Sequence, residues 1–193
     1  VALVTGASRG IGRAAALAFA KAGAHVVALA RTSGALEELD DEIRAEGGSA
    51  TLVPLDLGDA PAVEKLGPAL LQRWGKLDIL LANAGILGPL SPLTHASPKE
   101  WAKVFDTNVT ANWRLLKSVE PALQASDSGR VILMSSGAAH KCLAYWGPYS
   151  ISKAAVAAMG RTYAAETATT PMKVMLVNPG PLRTRMRAEA MPR

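Results

Sequence analysis

Tyr149 and Lys153 stand four residues apart in the run Tyr149-Ser150-Ile151-Ser152-Lys153, and Ser136 precedes the tyrosine by thirteen. The spacing predicts a helix over 147–168, in which positions i and i+4 share a face. The phenol and the ammonium would then enter the same space. A free tyrosine, with a pKa of about 10, is a poor acid–base catalyst near neutrality. A neighbouring ammonium favours the phenolate and lowers that pKa, so proton exchange with an alcohol oxygen becomes feasible. Each residue alone also has a plainer role: packing for the tyrosine, solvation for the lysine, and satisfaction of backbone groups for Ser135 or Ser136.

Something must hold these groups. Short apolar runs at 1–5, 25–30, 50–55, 77–82, 129–135 and 172–178 alternate with amphipathic stretches at 10–23, 34–47, 59–74, 98–124 and 147–168. The fourth stretch is expected in two pieces, broken near Asn108. This alternation is the pattern of an α/β fold, a parallel sheet covered by helices on both faces. Six strands in this order suggest a Rossmann-like doubly wound sheet, 3-2-1-4-5-6, with ligands bound beyond the carboxyl ends of the strands. The first run, Val1-Ala2-Leu3-Val4-Thr5, is apolar on both faces, as a central strand should be.

That strand leads into Gly6-Ala7-Ser8-Arg9-Gly10-Ile11-Gly12 and then a helix. Gly6 permits the tight turn, while Gly10 and Gly12 allow close backbone approach to a pyrophosphate at a helix N-terminus. Glycines alone are weak signals, but the strand–turn–helix context is the one a nucleotide cradle requires.

With Tyr149 and Lys153, the Gly-x-x-x-Gly-x-Gly spacing resembles the short-chain dehydrogenase/reductase family, in its single-domain form. The resemblance runs over the whole chain: the glycine turn, Asp56-Leu57, Asn83-Ala84-Gly85, Asn108, Ser136, Tyr149 with Lys153, and Pro179-Gly180 through Thr184. Trp146-Gly147 and the stretch Asn178–Arg187 further resemble poorly characterised bacterial oxidoreductases. The resemblance implies that Tyr149 exchanges the substrate proton and that Lys153 holds the nicotinamide ribose. It implies that Ser136 binds the substrate oxygen and that the Asn108 carbonyl holds a relay water; a helix cap is the alternative for Asn108. It gives Ser8, Arg9 and Ile11 to the phosphate cradle and Asp56 and Leu57 to the adenine. Asn83, Ala84 and Gly85 would line the adenine ribose side, and Pro179, Gly180, Leu182 and Thr184 would hold the carboxamide.

Strand 2 ends Ala30-Arg31-Thr32, without the acid that usually accepts from a ribose 2′-hydroxyl. Arg31, helped by Arg9, suits a 2′-phosphate, so the expected cofactor is NADP(H) ahead of NAD(H). The loop 137–146 should wall the substrate pocket with His140, Leu143 and Trp146 beside Ser136 and Tyr149. His140 reads more readily as a surface histidine than as a substrate contact. The lead expectation is an oxidoreductase interconverting a carbonyl and an alcohol. Alternatives are a 3-oxoacyl-thioester reductase docking an acyl carrier through Arg130, and a non-catalytic NADP(H) sensor.

The 193 residues carry a net charge of +5, but Arg183, Arg185, Arg187 and Arg193 against Glu189 supply +3 of it near the end. No basic stripe with interleaved aromatics suggests nucleic acid. A single cysteine, Cys142, excludes an internal disulfide and fits a reducing, cytoplasmic setting. His25, His95 and His140 lack metal-ligand spacing, so no metal is expected. The uncharged stretch 79–98 is broken by glycines and prolines and reads as strand end plus loop, not a membrane span. Both ends look cut: the chain stops in a polar, basic tail with no packed element after it, and the resemblance implies a closing segment after Thr184 and a seventh strand that lie outside this chain, so a mobile or missing lid is expected. A homodimer or homotetramer through the helices at 98–124 and 147–168 is the expected assembly.

Overall fold

A computed structural model describes residues 1–191, so Arg193 lies outside the described residues. Six strands alternate with helices: β1 (Ala2–Thr5), α1 (Gly10–Lys21), β2 (His25–Ala30), α2 (Ser33–Ala45), β3 (Ser49–Pro54), α3 (Ala60–Trp74) and β4 (Ile79–Ala82). There follow α4 (Pro98–Phe105), α5 (Ala111–Gln124), β5 (Arg130–Met134), α6 (Ala138–Lys141), α7 (Gly147–Glu166), β6 (Lys173–Val177) and α8 (Arg185–Ala190). The strands form one parallel sheet in the order β3-β2-β1-β4-β5-β6. This is the expected doubly wound arrangement, with β1 and β4 astride the switch point.

The period-2 geometry of the strands divides the core into two layers. Leu3, Val27, Leu29 and Leu80 point to one face and pack with Leu70 of α3, Leu115 of α5 and Val156 of α7. Val4, Val26, Ala28 and Leu81 point to the other and meet Ala16 of α1 and Leu39 of α2. All four residues of β1 are buried, because both faces are covered. Each fully buried leucine contributes about 2 kcal/mol of transfer free energy, so the strand ends that carry the site rest on a stiff platform.

Two segments differ from expectation. The helix break near Asn108 is a widened turn rather than a gap: Asp106–Thr110 form a π-turn, with Ala111 N–H donating to the Asp106 carbonyl. α4 begins at a capping box in which Ser97 and Glu100 each accept from the other's backbone N–H. The terminal basic segment after Thr184, where no element is expected from the sequence, is partly helical. It contains α8, which turns Met186 and Ala190 onto a small cluster of Leu87, Ala138 and Tyr149. No helix among the described residues is long and apolar enough to cross a membrane.

Candidate active site

The glycine turn joins β1 to α1. Gly6 and Gly10 take positive φ (66° and 57°), where a side chain would be strained. A Cβ on Gly12 would collide with the Gly6 carbonyl oxygen, so the helix lies directly against the turn. Arg9 is the N-cap of α1 and makes no side-chain cap bond, which leaves the first N–H groups directed outwards for an anion. The loop after β4 is tied to this turn. Asn83 and Ala84 donate their N–H groups to Thr5 Oγ1 at 3.0 and 3.1 Å, and Asn83 Nδ2 donates to the Thr5 carbonyl at 3.0 Å. Asn83 therefore clamps two strand ends together.

Around this cradle stand the other expected cofactor residues. Arg9 and Arg31 are exposed, and among the described residues neither guanidinium has a carboxylate partner. Ser8 and Ile11 are half-buried and Thr32 is exposed before α2. Asp56 is exposed and accepts from Gly58 N–H through Oδ1, leaving Oδ2 for an outside donor, while Leu57 is buried. On the far side, a Cβ on Gly10 would touch the Thr184 methyl at 3.7 Å, so the segment after β6 reaches the glycine turn. There Pro179 is half-buried, Gly180 takes φ 71°, and Leu182 is exposed. The Thr184 hydroxyl is already used, accepting from Arg187 N–H to cap α8.

Tyr149 and Lys153 occupy successive turns of α7, both buried. Lys153 Nζ lies 5.8 Å from the centre of the Tyr149 ring and donates to the Met134 carbonyl at 2.8 Å. Gly85 faces the same space: a Cβ there would be 3.5 Å from Lys153 Nζ and 3.1 Å from Asn108 Oδ1. Asn108 is wholly buried. Its amide pairs with both backbone groups of Ile86 at 2.8 and 2.9 Å, and its Nδ2 also donates to Ser152 Oγ, which donates to the Tyr149 carbonyl. Ser136 accepts from Ala138 N–H and stands beside the phenol. The Ser135 hydroxyl is buried without a protein partner among the described residues.

Electrostatics here differ from the simple ion-pair expectation. Burial pushes the Tyr149 phenol above its ordinary value, with the Ser136 hydrogen bond pulling the other way. Burial also draws Lys153 down to about 8. Desolvation thus sets the direction for both groups, since removal from water disfavours the phenolate and the ammonium alike. Tyr149 is held in its neutral form.

The matching family model, described as short chain dehydrogenase, covers residues 1–193. The chain belongs to the short chain dehydrogenase family. It is 35% identical over 193 residues to the uncharacterized oxidoreductase YciK of Escherichia coli K12, covering 98% of this chain and 76% of the relative. It superposes with a TM-score of 0.95 on a short chain dehydrogenase from Salmonella enterica serovar Typhi, at 36% identity, covering 98% and 79% of the two chains. A Shigella flexneri 2a short chain dehydrogenase complexed with NADP matches at 0.94, also 36% identical, over 98% and 80%.

Within this family frame, the pocket wall is partly as expected. Trp146 stands edge-on to Tyr149 with ring centres 6.1 Å apart. Leu143 and His140 are exposed, Leu143 at 47%, so the structure does not bring them onto the phenol. Sequence reasoning missed Leu87 and Met186, which pack on the Tyr149 cluster. It also missed Ser152 and Asn112 as partners of Asn108. Arg130, needed by an acyl-carrier dock, ties Nη1 to the carbonyls of Ser128, Gly129 and Pro171. Among the described residues no group of His, Cys, Asp and Glu is placed to hold a metal.

Proposed function

We propose that this chain is an NADP(H)-dependent oxidoreductase that interconverts a ketone or aldehyde and its alcohol, with Tyr149 as the general acid/base. The observation that carries this reading is the buried Tyr149–Lys153 face of α7, set opposite Gly85 and beside Ser136. The cradle fits a dinucleotide. An uncapped helix N-terminus lies behind glycines that admit no side chain, and two exposed arginines without carboxylate partners suit a 2′-phosphate. A relative with NADP in its crystals agrees with that choice.

When bound, the nicotinamide would supply or accept the hydride. Ser136 would hold the substrate oxygen, and Tyr149, kept protonated by burial, would donate its proton to that oxygen during reduction. Lys153 would hold the nicotinamide ribose and, by its charge, stabilise the phenolate left behind. The Asn108 carbonyl would hold the water through which the phenolate is reprotonated. Gly6, Gly10 and Gly12 with Ser8, Arg9 and Ile11 would cradle the phosphates. Arg31 and Thr32 would take the 2′-phosphate, Asp56 and Leu57 the adenine, and Asn83 to Gly85 the ribose side. Pro179, Gly180, Leu182 and Thr184 would hold the carboxamide. The half-buried Trp146 beside Tyr149 suits a hydrophobic carbonyl compound. Pairing of two copies through α5 and α7, where Trp113 and Ile151 are exposed, completes the proposal as a homo-oligomer.

A panel of aldehydes and ketones offered to the full-length protein, with NADPH absorbance followed, tests this. Oxidation with at least one class of carbonyl is expected. NADPH binding without oxidation across a broad panel would mean a sensor instead.

A further inference from the structure

A regular α-helix gives the carbonyl of residue i to the N–H of residue i+4. At Asn108 the π-turn intervenes, and the carbonyl accepts from the side-chain Nδ2 of Asn112 at 2.7 Å. The orientation of that amide is forced, because a carbonyl only accepts. Asn112 is 2% exposed, and its Oδ1 is buried without a partner among the described residues. Buried amide oxygens are seldom left unpaired, and an ordered water is the usual answer.

The two amide atoms are about 2.2 Å apart, so Oδ1 lies within roughly 5 Å of the Asn108 oxygen, a span one water bridges at about 2.8 Å from each. The Asn108 carbonyl keeps a second lone pair for that water. Lys153 Nζ and the Asn108 side chain flank the same glycine, Gly85, so the π-turn that carries Asn108 adjoins the lysine.

We infer that Asn112 is a positioning residue of this site: its Nδ2 aims the Asn108 carbonyl, and its Oδ1 fixes a water on that carbonyl's free lone pair. The inference rests on the proton-relay reading above. A water so placed receives two acceptors from the protein and keeps its own oxygen free to accept from a donor such as the lysine ammonium. Neither Asn108 nor Asn112 alters its own protonation; they fix where the proton can pass.

The test sets Asn112→Leu and Asn112→Ala beside the wild type and Tyr149→Phe in the full-length protein. Leucine fills the space without a polar atom, whereas alanine opens room that a further water can take. A fall in kcat of at least tenfold is expected for Asn112→Leu and a smaller one for Asn112→Ala. The Kd for NADPH should stay within twofold, and the alkaline limb of kcat should move in the leucine variant. A purely structural role would lower Tm in both variants, alanine more, and leave the pH profile of kcat in place; that result overturns the inference. A high-resolution crystal structure of the wild type decides the same point should the variants not fold. A water bonded to Asn112 Oδ1 and the Asn108 carbonyl is expected, and a protein donor on Oδ1 would overturn it. Full turnover by Tyr149→Phe would instead sink the proton-transfer role of Tyr149, while the water still decides what Asn112 holds.

Discussion

At the scale of single residues, the decisive contest is between desolvation and charge. Burial raises the phenol and lowers the ammonium, so the pair starts as a neutral acid beside a cation that loses its charge near pH 8. Reduction needs both in their protonated forms, and its rate should decline as pH rises through that value. Cofactor choice also rests on single side chains. Arg31 is an exposed guanidinium with no carboxylate partner among the described residues. A charge-assisted bond to a phosphate contributes about 2 kcal/mol, so Arg31→Asp should move the NADPH/NADH preference by roughly 30-fold towards NADH. Steady-state KM values for the two cofactors check this, and an unmoved ratio would remove Arg31 from selectivity. The tyrosine and lysine were legible because i+4 spacing on a helix fixes their common face. The partners of Asn108 were not, because Ile86 and Ser152 approach it from a loop and another helix, and sequence spacing holds no trace of that meeting.

At the scale of elements, the glycine turn and the π-turn do the positioning. Gly12 has no room for even a methyl group, with the Gly6 carbonyl and Asn83 Nδ2 in the way. Gly12→Ala forces the turn apart, costing about 2 kcal/mol and a Tm drop of roughly 4–8 °C for a chain of this size, with NADPH binding weakened at least tenfold. Gly34→Ala, in open space within α2 at an ordinary φ, should hold or raise Tm. Thermal unfolding and NADPH titration of the two variants together check the contrast, and equal losses would contradict it. The strand–turn–helix context made the cradle readable. The helix α8 was not readable: its six residues carry two arginines and a glutamate, and only the tertiary cluster around Tyr149 explains why Met186 and Ala190 turn inward.

For the whole molecule, the alternation of apolar runs and amphipathic helices gave the sheet order directly, since each parallel crossover must return over one face. What no pattern shows is that the fold carries a buried ammonium at its centre. Lys153 releases its proton at about 8 in the folded chain and at 10.5 in its ordinary setting. Between those values the unfolded chain binds more protons, so this residue makes stability rise with pH; below about 8 its cost is fully present. Calorimetry of wild type and Lys153→Met at pH 7.5 and 9.5 should show the Tm difference shifting towards the wild type at the higher pH. A difference independent of pH would mean that the lysine is not held in this desolvated state.

The most direct measurement is single-turnover oxidation of NADPH by Tyr149→Phe, with a carbonyl substrate that the wild type reduces. The buried phenol is the only group beside Ser136 assigned to give the substrate its proton, so the rate should fall by at least a thousandfold while the Kd for NADPH stays within a few-fold. A variant that binds NADPH normally and turns over within tenfold of the wild type would contradict the proton-transfer role of Tyr149.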